Sequence, residues 1–372
     1  MKRILIIGGA GFIGSNAALY FSRRGWKVSV MDNLSRAGSE SNLQSLMQET
    51  EVDFFRGDIR RREEVTEVLR RIRPVDAVLH LAAQVAVTTS ITDPVNDFEI
   101  NALGTLNVLE TIRAEAPGSS LIYASTNKVY GGLDDLSVIS GTEKYELEKD
   151  DEGISERQPL DFHSPYGCSK GAADQYVRDY SRIYNLRTFV IRQSCIYGTR
   201  QYGVEDQGWL AWFAIAALQG KQITVYGDGR QVRDVLWVAD LLDLYDRCLN
   251  SDRGSGVYNA GGGIERSVSV REVIRLLESK LGWSIPHAYG DWRPGDQKLF
   301  ISDNTKAFRE LGWRPTTSVS QGMDQLLEWI KQNIPAIAAA GDRLADHAPL
   351  IPKELEWRGA KSGKVLQYSR GD

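Results

Sequence analysis

Apolar residues in this chain fall in short runs, and the stretches between the runs repeat their apolar positions at helical spacing. Ile4–Ile7, Lys27–Asp32, Val52–Arg56, Ala77–Leu81, Ser120–Tyr123 and Arg187–Arg192 read as six strands, most of them too continuous to have a wet face. Between them Phe12–Arg24, Glu63–Ile72, Asp97–Ala114 and Pro165–Tyr184 read as helices, the first stopped by Gly25. Val65, Val68, Leu69 and Ile72 show the i, i+3, i+4, i+7 pattern, and a short helix is expected near Asn42–Met47. Strand and helix alternate in this way as far as about residue 130, which predicts a doubly wound parallel sheet. The rhythm breaks over 132–160, an acidic stretch without period that reads as a loop over the surface. After about Tyr197 the elements are shorter and mixed: helices at Trp209–Leu218, Val238–Leu249 and Val270–Leu281, and a strand at Ile223–Tyr226. An amphipathic helix at Val319–Asn333 follows, and 335–372 is a charged, Pro-containing tail without period. The expected organisation is therefore α/β: a sheet domain over 1–195, a smaller mixed α/β substrate lobe over 196–334 with some chain crossing back to the sheet, and the tail.

Composition narrows the class. With 372 residues and 42% hydrophobic content the chain builds a full core, and a net charge of -4 offers nucleic acid no basic field. Cys168, Cys195 and Cys248 lack paired spacing and the four histidines stand apart, so neither disulfides nor a metal site is expected. No apolar run reaches the length of a membrane span and the N-terminus lacks a signal-peptide layout, which points to the cytoplasm.

Chemistry enters with the glycines. Gly8, Gly11 and Gly14 follow the first strand and open a helix, the spacing of a Rossmann dinucleotide turn: one glycine for the turn, one for approach to a pyrophosphate, one for close helix packing. Asp32 ends the second strand where a carboxylate accepts both adenosine ribose hydroxyls and repels a 2′-phosphate, while Arg36 stands close enough to offset that repulsion. Asp58 either meets the adenine amino group or caps the helix after it, and His80, within an apolar run, reads as a core histidine. After the fifth strand comes Ser125-Thr126-Asn127-Lys128-Val129-Tyr130-Gly131, and Tyr166-Gly-Cys-Ser-Lys170 opens the next helix, with tyrosine and lysine one turn apart on one face.

The glycine turn, a hydroxyl residue after strand five and YxxxK together resemble the extended short-chain dehydrogenase/reductase family of NAD-dependent epimerases and dehydratases, over roughly Lys2–Asn333. The resemblance implies NAD as cofactor, Tyr166 as general base, Thr126 bonded to the same substrate oxygen, and Lys170 on the nicotinamide ribose. It places the cofactor along Gly8, Gly11, Phe12, Ile13 and Gly14; Asp32, Asn33, Ser35 and Arg36; Asp58 and Ile59; Leu81, Ala82, Ala83 and Gln84; and Asn101 and Gln193. It places a nucleotide sugar against Val87, Thr88, Asn127, Cys195, Gln207, Trp209 and Tyr226, with Arg233 and Arg293, near Asp296, gripping the diphosphate; each arginine is also readable as a surface ion-pairing group.

Dehydratases of the family carry Asp-Glu after the threonine, and sugar-acid decarboxylases a glutamate in that turn; this chain has Asn127-Lys128. The turn, the Leu160–Gln175 segment and Asp206–Trp209 resemble the CDP-paratose 2-epimerase group. That implies oxidation of a C2 hydroxyl, reorientation of the keto-sugar and re-reduction, in a homodimer or homotetramer whose contact helices are Asp97–Ala114 and Pro165–Tyr184. A UDP-hexose 4-epimerase, a CDP-hexose 2-epimerase and a binder without turnover are the alternatives. Gln84–Ser90, leaving strand four at the sheet's carboxyl edge, either packs on the lobe or presents Val85 and Val87 as an apolar wall to a sugar lacking hydroxyls at C3 and C6.

Overall fold

The computed structural model describes residues 1–148, 153–293 and 296–347, with side chains as far as 341. In chain order it runs β1 (Arg3–Ile7), α1 (Phe12–Ser22), β2 (Lys27–Asp32), α2 (Ser39–Glu49), β3 (Asp53–Arg56), α3 (Arg62–Ile72), β4 (Ala77–His80), α4 (Val87–Thr92), α5 (Pro94–Phe98), α6 (Gly104–Glu115) and β5 (Ser120–Thr126). A hairpin of β6 (Val138–Ser140) and β7 (Tyr145–Leu147) follows, then α7 (Ser164–Tyr184), β8 (Arg187–Gln193), β9 (Cys195–Tyr197), α8 (Trp209–Leu218), β10 (Ile223–Tyr226), β11 (Val232–Trp237), α9 (Val238–Asn250) and β12 (Gly256–Ala260). The chain continues through β13 (Ser267–Ser269), α10 (Val270–Leu281), β14 (His287–Gly290), β15 (Leu299–Phe300), α11 (Thr305–Leu311), α12 (Val319–Gln332) and α13 (Ile334–His347).

Seven parallel strands in the order β12-β8-β5-β4-β1-β2-β3 form the central sheet. The continuous apolar run of β1 has a direct cause: Ile4 and Ile6 pack on one face with Leu19, Leu79 and Tyr245, while Leu5 and Ile7 pack on the other with Val78, Leu109 and Leu121. Successive side chains point to opposite faces and both faces are covered by helices, so no position in the run is free to be polar. The lobe has its own core, built from Leu210, Phe213, Val225, Trp237, Val273 and Leu326. β9, β13 and β15 join β11 there, and β10 pairs with β14.

Several expectations are corrected. The stretch 132–160 is not a plain loop: β6 and β7 pair, Tyr145 is buried with its hydroxyl donating to Asp228 at 2.7 Å, and Ile154 bridges to Ser302. Its anchors are backbone and polar contacts to distant segments, which leave no periodic trace; residues 149–152 lie outside the described residues. The helix foreseen at Asp97–Ala114 starts earlier, at Pro94, and widens into a π-turn over Glu99–Leu103. α2 is longer than foreseen, starting after Gly38, which adopts φ 86°. The tail opens as a helix, α13, because Ile337 and Ala340 share a face that is buried, Ile337 within the lobe core; beyond 347 it lies outside the described residues. β12, a strand the periodicity does not mark, completes the sheet by pairing with β8.

Candidate active site

The dinucleotide turn is built by crowding. Gly8 has φ +83°, and a Cβ there would sit 2.5 Å from the Ala82 nitrogen; at Gly14 a Cβ would come within 2.1 Å of the Gly8 oxygen. At Gly11, which lines the cavity, a Cβ would meet only the Gly8 oxygen, at a tight 3.3 Å. The turn thus leaves bare amide groups at the start of α1, whose first turn carries no acidic side chain, and this arrangement suits an anionic phosphate. Asp32, at the end of β2, accepts the Ala10 N–H at 3.0 Å and the Leu34 N–H at 2.8 Å. Burial raises its carboxyl above the usual range, against the pull of these backbone bonds. Asp58 is driven the other way: despite partial burial, hydrogen bonds from Arg60 and Asn33 hold it at about 2.

Forty residues separate Thr126 from Tyr166, and the sheet brings them together. Thr126 ends β5, its hydroxyl accepting the Lys128 N–H at 3.2 Å and fixing the following turn. Tyr166 lies in the first turn of α7, its backbone N–H donating to Ser90 Oγ at 3.1 Å. The Tyr166 phenol is buried, which pushes its pKa up to about 12, while a hydrogen bond with Thr126 pulls it down. Lys170 is buried one turn later; burial brings it down to about 7, opposed by the charges of Asp174 and Asp97. Its ammonium donates to the Ala124 oxygen at 2.6 Å and lies 4.3 Å from the Tyr123 ring centre. The lysine's hydrogen bond therefore goes to the strand.

Two buried polar networks hold this arrangement. Asn101 accepts the Gln84 N–H at 3.0 Å and donates to the Gln84 carbonyl at 3.0 Å and to Asp97 at 3.1 Å, while Ser169 Oγ donates to Asp97 at 2.5 Å. On the far side of α7, Asp174 accepts from Ser125 at 2.7 Å and from Arg192 at 2.9 and 3.0 Å. Arg192 also donates to Tyr130, whose hydroxyl donates to Asn259 on β12.

A cavity of about 1080 Å³ collects the candidate residues. Every site residue picked from the sequence lines it except Gln84 and Asn101. These two lie outside its lining, where Asn101 holds the loop after β4 through Gln84 and the start of α7 through Ser169, which suits Asn101 as the asparagine that positions the site. Arg36, on the loop after β2, bonds Gln207 of the lobe, linking the cavity's two sides. Arg233 pairs with Asp296 at 2.8 Å; Arg293 pairs with Asp206 at 3.2 Å and covers the Tyr226 ring at 3.8 Å. Both arginines line the cavity and are ion-paired there, Arg233 buried. Burial pushes the Cys195 thiol up, and the buried Trp209 indole N–H, in edge contact with Phe213, lines the same space. Val85, Val87 and Ile91 make one apolar side. Lys128 and Gln231 also line the cavity; Lys128 lies inside the Ser125–Gly131 motif, two residues after Thr126, and Gln231 two before Arg233, and that alternating placement was the available signal.

The sequence profile of the GDP-mannose 4,6 dehydratase family matches residues 5–326. A CDP-paratose 2-epimerase of Salmonella typhi is 42% identical over 335 residues, 88% of this chain and 98% of that protein. Among solved structures, a UDP-glucose 4-epimerase of Thermus thermophilus in complex with NAD superposes with a TM-score of 0.75 at 33% identity, covering 89% of this chain and 99% of the other. A dTDP-glucose 4,6-dehydratase of Bacillus anthracis in complex with NAD gives 0.76 at 29% identity, covering 91% and 100%.

Proposed function

The chain belongs to the GDP-mannose 4,6 dehydratase family of NAD-dependent nucleotide-sugar epimerases and dehydratases, and on that premise we propose that it is a CDP-paratose 2-epimerase forming CDP-tyvelose. It is an NAD-dependent enzyme of the short-chain dehydrogenase/reductase type. The observation that carries the finer reading is that Thr126 and Tyr166 line one cavity beside a turn, Asn127-Lys128, that holds no carboxylate. Elimination of water needs an acid and a base at the sugar. Among the described residues, the carboxylates lining the cavity are Asp32, Asp58, Glu205, Asp206 and Asp296, none of them in that turn; Asp296, whose charge reaches Lys128, is paired with Arg233. What is left beside Tyr166 suits oxidation and reduction at one carbon.

In this reading the glycine turn and Asp32 hold the cofactor, whose chemistry when bound is to accept the C2 hydride and return it. Tyr166 takes the C2 hydroxyl proton and gives it back, Thr126 orients that oxygen, and Lys170 keeps a positive charge nearby. Val85, Val87 and Ile91 suit a sugar without hydroxyls at C3 and C6, since a hydroxyl buried there unpaired costs about 1–3 kcal/mol. Exposed Val95, Phe98, Tyr176 and Ile183, on α5 and α7, make the face through which two chains pair. No helix among the described residues is long and apolar enough to cross a membrane, and a cytoplasmic site of action is part of the proposal.

The decisive experiment offers the purified protein CDP-paratose, CDP-glucose and UDP-glucose and identifies the products. CDP-tyvelose from CDP-paratose, with a specificity constant roughly ten- to a hundredfold above that for CDP-glucose, is the expected result. A C4 epimer of UDP-glucose as the main product would replace the reading with a 4-epimerase.

A further inference from the structure

Beside the Arg233–Asp296 pair stands a cation that has no carboxylate of its own and feels only the one already shared with Arg233. Lys128 lines the cavity from the turn after β5, and this turn is held at both ends: Thr126 accepts the Lys128 N–H at 3.2 Å, and the Lys128 carbonyl accepts the Gly131 N–H at 3.3 Å. Among the described residues its ammonium makes no hydrogen bond and no ion pair. Arg233 is already matched by Asp296 at 2.8 Å; Lys128 is not matched. Burial and the neighbouring Arg233 charge bring its pKa down to about 8, with Asp296 and Cys195 pulling the other way. An enclosed ammonium beside a guanidinium is unfavourable by itself and becomes favourable when an anion joins the two.

Resting on the epimerase reading above, we propose that Lys128 binds the sugar-proximal phosphate of the nucleotide sugar and so sets which carbon stands at Tyr166. The chemistry of the substrate explains the position. C2 is bonded to C1, and C1 carries the diphosphate, so a C2 oxygen held at Thr126 and Tyr166 puts the proximal phosphate a few bonds from the reacting centre. Lys128 lies two residues beyond Thr126, toward Arg233, on that short path. A sugar reacting at C4 would put its diphosphate across the ring from the Thr126–Tyr166 pair, farther from the reacting oxygen. Lys128 therefore favours the C2 register, and it distinguishes this site from one in which the same catalytic pair works at the far side of the sugar.

The test compares wild type with Lys128→Met and Lys128→Arg, all loaded with NAD, using CDP and CMP as probes by calorimetry. Losing a charge-assisted bond to the terminal phosphate should weaken CDP by about tenfold to a hundredfold. CMP, which lacks that phosphate, should change by less than about twofold, and arginine should restore most of the CDP affinity. Wild-type CDP affinity should also fall as pH rises through about 8, a dependence absent from the methionine variant. Equal CDP affinity in wild type and Lys128→Met, or an equal loss for CMP, overturns the assignment. A wild type that binds CDP but leaves CDP-paratose unconverted instead refutes the substrate reading, with the phosphate contact still standing.

Discussion

The ammonium of Lys170 donates a 2.6 Å hydrogen bond to the carbonyl oxygen of Ala124, two residues before Thr126. The helix that carries Tyr166 is thereby stitched to the strand that carries Thr126. Tyr166 and Thr126 are held in register by this bond, by Ser90 at the Tyr166 amide and by Asp174 at Ser125.

Tyr166→Phe keeps the packed ring and deletes the group that moves the proton. Turnover should fall roughly 100- to 10,000-fold, the usual range for a general base. NAD content of the purified protein, read from its absorbance after denaturation, should be unchanged. Activity within a few-fold of wild type would remove Tyr166 from the mechanism.

Asp32→Ala acts twice, because the carboxylate proposed for the ribose also accepts the Ala10 and Leu34 amides. NAD should bind about tenfold or more weakly, the scale of a hydrogen bond to a charged group. The preference for NAD over NADP should narrow as the negative charge is lost. Titration of both cofactors measures this, and an unchanged ratio would take Asp32 off the ribose.

Arg192→Met leaves Asp174 as an unpaired charge, since both side chains are almost wholly buried, at 3% and 0% exposure. Removing one partner of such a pair costs about 3–5 kcal/mol. The urea midpoint should drop accordingly. Activity should fall further than unfolding explains, because Ser125 beside Thr126 loses its fixed acceptor.

His80 gives a pH dependence of known sign. Thr105 Oγ1 donates to the Asn101 oxygen at 2.6 Å and so accepts from His80 Nε2 at 3.0 Å, leaving Nδ1 unprotonated and without a partner. Burial, aided by the Lys170 charge, lowers the ring pKa from 6.5 to about 3. The unfolded chain takes up a proton below 6.5 that the folded chain refuses until about 3. His80 stabilisation is therefore complete above 6.5 and is lost as pH falls through that window, at up to about 1.4 kcal/mol per pH unit. In His80→Leu this part of the acid-induced loss should vanish when unfolding midpoints are compared from pH 7 to about 4.5. Parallel curves would show that the ring is protonated in the native state.

What the sequence determined by itself is whatever lies within one window of chain. The buried strands, the glycine turn, Asp32 at the end of its strand and the Tyr166–Lys170 spacing are local, because burial on both faces of a sheet and one turn of helix each leave a period or a fixed offset. Tertiary structure decided the rest. It placed Gln84 and Asn101 outside the cavity lining, paired Arg36 with Gln207 and Arg233 with Asp296, anchored the 132–160 stretch through Tyr145 and Ile154, and returned β12 to the sheet edge. The reason is that a polar group reads alike in sequence whether water or a distant partner satisfies it. Only the folded chain, which removes the water, fixes which partner each buried donor and acceptor must find.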